Sequence, residues 1–71
     1  MTNAKILRKK IDESGYKMLF VAKQIGLTYQ GFLKKINNET EFKANEIQGL
    51  CILLNLSLDE KETIFFCPDS R

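Results

Sequence analysis

A single glycine, Gly26, limits this chain more than any other residue, because it breaks a stripe of helical spacing and lets a second stripe begin just after it. Before the break, Met18, Val21, Ala22 and Ile25 recur at intervals of three and four, which puts them on one side of a helix. Ala22 is the small member of that set. A side chain of its size lets a following helix cross close to the first, where a Leu would hold the two axes apart. Gly26 supplies the positive φ that ends a helix in a tight turn. Leu27 offers an apolar plug beneath the turn, and the Thr28 hydroxyl is a good N-cap for a second helix because it can accept an otherwise orphaned backbone N–H.

In that second helix, Phe32 and Ile36 lie one turn apart and face the first helix, with Leu33 flanking them. The opposite side stays polar. It carries Gln30, Lys34 and Asn38, with Asn37 and Lys35 side-on and Gly31 among them, so nothing bulky blocks the approach of a large polyanion. A rod with adaptable donors near its N-terminus, cations further along and a rigid helix behind it has the chemistry to lie in a DNA major groove.

The run Ala22-x-x-Ile25-Gly26-Leu27-Thr28-Tyr29-Gln30-x-Phe32 resembles the helix-turn-helix of the phage-repressor-type (XRE-like, lambda-repressor-like) DNA-binding domains. The likeness covers nearly the whole chain, since a lead-in helix precedes the motif and two more follow it. It implies an all-α fold of four to five helices, with the helix-turn-helix as helices 2 and 3, and double-stranded DNA as the partner. Tyr29, Gln30 and Lys34 are then expected at base edges. Gln can pair bidentately with adenine, Lys donates to guanine O6 and N7, and the Tyr ring can meet a thymine methyl or give its hydroxyl to phosphate. The same resemblance puts Lys17, Thr28, Lys35, Asn38, Thr40 and Lys43 on phosphates. One departure is that the second buried position of the recognition helix falls at Ile36, one residue later than in many members, where Lys35 stands. Which of Lys34 and Lys35 points at the bases is left open by that shift.

With 71 residues the chain makes one small domain, expected over 1–67 with a disordered tail at 68–71 after Pro68. Its 44% hydrophobic residues suffice for a modest core without staples. Cys51 and Cys67 are the only cysteines and there is no His, so neither a zinc site nor any other cofactor is expected. Both thiols are expected free in a reducing cytosol. No signal-peptide pattern and no membrane-length apolar run is present, which points to a cytoplasmic protein away from membranes.

The net charge of +2 hides a segregation. Residues 1–38 hold eight Lys and Arg against two carboxylates, a charge of +6, whereas residues 39–71 hold three against seven, a charge of −4. A positive surface on the half that carries the helix pair attracts phosphate backbones, while the acidic half is kept from them.

Elsewhere the chain reads as a helical frame. Thr2 or Asn3 caps a first helix to about Ser14, with Ala4, Leu7 and Ile11 buried and Gly15 as its stop. Leu19 is expected beneath the later helices, and Phe20 has no assigned place. Phe42 folds inward from the loop after the recognition helix. A helix over about 44–54 buries Ala44, Ile47, Leu50, Cys51 and Leu54, and its start is expected to fray because Lys43 is a poor cap. Ser57-Leu58-Asp59-Glu60 reads as a capping box for a last helix to about Phe66. Ile64, Phe65 and Phe66 either close the back of the core or join Ile52 and Leu53 in a two-fold interface.

These features suggest a sequence-specific transcriptional regulator, a small repressor of phage or mobile-element type. It would act as a homodimer on a palindromic operator, with recognition helices in successive major grooves about 34 Å apart. No small-molecule ligand is indicated. Enzymatic activity is not expected, because the usual nucleophile–base pairs are missing. The rival is a protein-interaction module, an antitoxin, anti-repressor or docking domain, using the apolar last helices.

Overall fold

The repeated three-and-four spacing is realised as five helices in a computed structural model that describes residues 2–66. They are α1 (Ala4–Ser14), α2 (Met18–Gln24), α3 (Tyr29–Ile36), α4 (Ala44–Leu53) and α5 (Leu58–Phe65), with no strand among the described residues. Met1, Cys67 and the expected tail at 68–71 lie outside the described residues.

Each helix gives one or two side chains to a common core: Leu7 and Ile11, Val21 and Ala22, Phe32 and Ile36, Leu50, and Ile64 with Phe65. Phe42 folds in from its loop as expected, meeting Phe32 edge-on at 6.0 Å between ring centroids and Phe65 at 5.5 Å. The radius of gyration, 11.1 Å, is that of a folded chain of this length, about 11 Å.

Three of the five helix ends follow one rule. Gly26 (φ 80°), Asn38 (φ 65°) and Asn55 (φ 54°) each stand in the left-handed region just past α2, α3 and α4. In each case the residue's own N–H and the next one return to the last turn: Gly26 to Lys23 and Leu27 to Ala22, Asn38 to Lys35 and Glu39 to Lys34, Asn55 to Ile52 and Leu56 to Cys51. This double closure is the Schellman motif, and it satisfies carbonyls that a bare helix end would leave open. Helix starts are capped by side chains at Asn3, Thr28 and Ser57, the last with Glu60 reciprocating.

The close approach of α2 and α4 depends on Gly49, where an added Cβ would stand 3.1 Å from Ile25 Cγ2. The backbone N–H of Asn3 donates to the Ile64 carbonyl at 2.6 Å, and Lys10 pairs with Glu60, so α1 and α5 are tied at two levels. Burial pushes the Cys51 thiol above its ordinary pKa, as expected of a cysteine used as a small apolar group.

Four expectations about packing need correction. Leu19 is 48% exposed, because α2 buries Val21 and Ala22 and a residue two places before Val21 projects to the other side. Ala44 is exposed at the first position of α4, where its methyl does not reach the core. The α4 start is held rather than frayed, since the Glu46 carboxylate accepts the Lys43 N–H at 2.8 Å. Of the residues expected in a two-fold interface, Ile64 and Phe65 are buried within the single chain and Leu53 is half-buried against the same core; only Ile52 and Phe66 remain exposed. No helix among the described residues is long and apolar enough to cross a membrane.

Candidate functional site

The turn between α2 and α3 determines what α3 presents. Leu27, half-buried, closes the Schellman turn from beneath, and Thr28 Oγ1 accepts the Gly31 N–H at 3.0 Å to start α3 without a gap. With Phe32 and Ile36 fully buried, the register of α3 is set, and Gln30, Lys34 and Asn37 share the outward line at spacings of four and three. All three are exposed. Of the expected base-edge set, Gln30 and Lys34 share the outward side of α3, whereas Tyr29, three and seven residues before Phe32 and Ile36, lies on the side toward α2 and is 43% exposed only because it begins the helix.

The six residues expected on phosphates separate into two groups. Lys17, Thr28, Thr40 and Lys43 are exposed. Lys17 is the N-cap residue of α2 and lines a shallow groove with Met18, Leu19 and Tyr29, so it is brought beside the start of α3. Thr28 uses one lone pair in its cap and keeps its O–H free to donate.

Lys35 and Asn38 differ from these four in having partners within the chain, Lys35 with its side chain mostly buried and Asn38 at an exposed position. Lys35 Nζ pairs with Glu46 Oε1 at 3.0 Å and donates to the Glu41 carbonyl at 3.0 Å, with its side chain only 12% exposed. Lys34 faces out and Lys35 faces α4. Asn38 accepts the Thr2 N–H through Oδ1 at 2.8 Å and donates Nδ2 to the Thr2 carbonyl at 3.0 Å. Each end of its amide makes one bond to the N-terminal segment, which leaves one exposed Nδ2–H without a partner among the described residues.

Glu46 is the residue the sequence reading missed. It is the one buried charged residue among the described residues, 6% exposed, and it receives both the Lys35 ammonium and the Lys43 backbone N–H. A glutamate at the third position of a helix was a legible capping signal. The unsuitable cap residue, Lys43, obscured it. Also missed was an apolar margin beside Lys17, formed by Leu19, Phe20 and Tyr16, in which the Phe20 and Tyr16 rings sit 5.0 Å apart.

The electrostatics of the face are simple. Among the described residues of the basic half, Lys10 and Lys35 are in ion pairs, while Lys5, Arg8, Lys9, Lys17, Lys23 and Lys34 are exposed and unpaired. No group of His, Cys, Asp or Glu among the described residues is placed to hold a metal ion.

Fold and surface together define a small all-helical domain with one exposed amide- and lysine-bearing helix face on its basic half. Compared with known proteins, the chain matches no protein-family model, no curated protein and no solved structure.

Proposed function

We propose that the protein is a sequence-specific double-stranded DNA-binding regulator, a small repressor that places α3 in the major groove. The observation that carries this reading is the outward line Gln30, Lys34 and Asn37, with Tyr29 half-exposed at the first position, on a helix whose other side is locked by Phe32 and Ile36. Rigid presentation matters because bidentate base contacts tolerate little error in position. Gln30 and Lys34 read base edges, Tyr29 contacts a thymine methyl or phosphate, and Lys17, Thr28, Thr40 and Lys43 fix the register on the backbone. In this reading α2 and α3 form a helix-turn-helix of the phage-repressor type.

Repression acts by occlusion, with a dimer on a palindromic operator. Ile52, 73% exposed, and Leu58, 79% exposed, flank the turn between α4 and α5 and give the dimer its apolar contact in place of the buried Ile64 and Phe65. The same exposed residues, with Phe66, favour a second reading in which they dock another protein.

Fluorescence anisotropy on a labelled duplex across a salt series separates the two readings. A DNA-binding protein loses affinity steeply with salt, and Lys17→Gln, which removes an exposed cation assigned to phosphate, reduces the slope of log K against log salt by about 1. Absence of binding at low salt, with the fold intact, refutes the DNA reading and leaves the docking one.

A further inference from the structure

We infer that Glu46 is a specificity-determining residue of the α3 surface, because it withholds Lys35 from the nucleic acid. The inference rests on the DNA-binding reading. Lys34 and Lys35 are neighbours on α3, yet they have opposite fates: Lys34 is exposed, and Lys35 is drawn against α4 by Glu46 and the Glu41 carbonyl. The partner carboxylate is 7% exposed in its side chain and is itself held by the Lys43 N–H. This is a built site, not a passing surface pair.

A buried ion pair is a weak source of stability, since desolvation offsets most of its attraction. What it does reliably is neutralise a charge and fix where it lies. A lysine released from Glu46 would swing its flexible stem into solvent beside the exposed Thr40 and Lys43 and become one more phosphate contact. That contact favours the wrong complexes. In sequence-independent binding the protein is free to orient so that every loose cation finds a phosphate, whereas with α3 seated in the groove the contact forms only if a phosphate already lies there. Glu46 thus limits the cations available to non-cognate DNA while anchoring the segment that carries Thr40 and Lys43.

The test uses the whole chain and two probes. Limited acetylation read by mass spectrometry, without DNA, should modify Lys35 several-fold more slowly than Lys34 in the wild type, and the gap should narrow in Glu46→Gln. On a random-sequence duplex, Glu46→Gln should steepen the salt slope by about 0.9, one added phosphate contact, and Glu46→Gln with Lys35→Met should return it to the wild-type value. Circular dichroism confirms that the variants are folded. If Glu46→Gln fails to fold, Lys35→Met alone decides: the inference predicts an unchanged slope, whereas a lysine already on phosphate would give a loss of about 0.9. A slope that is unchanged or shallower in folded Glu46→Gln, or acetylation of Lys35 as fast as Lys34, overturns the inference even if the protein binds DNA. A wild type that binds no duplex removes the DNA reading itself, and the inference with it.

Discussion

Asn38 and Asn55 occupy equivalent left-handed positions past α3 and α4, and comparing their replacement by glycine isolates what the Asn38 amide contributes. Asn→Gly changes two things at both sites in the same way: it relieves the modest cost of an L-residue at positive φ and adds freedom to the unfolded chain. Those terms cancel in the difference. What does not cancel is the clamp on Thr2, two hydrogen bonds of 2.8 and 3.0 Å that Asn38 alone makes. Such bonds contribute about 0.5–1.5 kcal/mol each in net terms, and exposure to water puts these toward the lower end. Asn38→Gly should therefore be less stable than Asn55→Gly by about 1–2 kcal/mol, or about 4–8 °C in Tm for each kcal/mol in a domain of this size. Urea denaturation followed by circular dichroism measures the difference directly from the midpoints, provided the slopes agree. Equal stabilities within about 0.3 kcal/mol would refute the clamp.

Further predictions concern packing and pH. Ala22→Leu should destabilise the protein by about 1–3 kcal/mol, because the residue is fully buried where α2 meets α3 and the added Cγ and two Cδ atoms cannot be absorbed; an unchanged urea midpoint would count against the close crossing. Hydrogen bonding to Lys10, and then to the Ser57 backbone, holds the Glu60 carboxyl below its usual range, so its contribution is present above the ordinary carboxylate pKa and is lost as pH falls through the lowered value. Lys10 is raised by the same hydrogen bond, so its contribution is present below the ordinary lysine range and is lost as pH rises through the raised value. Stability against pH for wild type and Lys10→Met should diverge at neutral pH and converge at the acid end; parallel curves would show that the pair contributes nothing.

Local signals made most of the frame legible. Helix spacing, Gly26, the Thr28 cap and the Ser57–Glu60 box are each readable within about four residues, and the helices they mark are present with ends displaced by a residue. Burial decided by long-range packing was harder to read. Whether Ile64 and Phe65 close a core or face a partner depends on where α1 and Phe42 lie, which no spacing rule on α5 contains. The fates of Lys35 and Asn38 turn on groups distant in sequence, Glu46 and Thr2, that a helical wheel of α3 cannot display. Leu19 shows the converse. An apolar side chain expected inside stays out because its helix is short and already committed to burying the other face.

The most direct test of the central claim is selection of bound duplexes from a random pool by the full chain at moderate salt, followed by sequencing. A DNA-reading α3 predicts enrichment of a palindromic consensus, with Gln30→Ala costing about 1–3 kcal/mol on that site and little on unrelated DNA. A pool that remains random after repeated rounds, from protein shown to be folded, would contradict it.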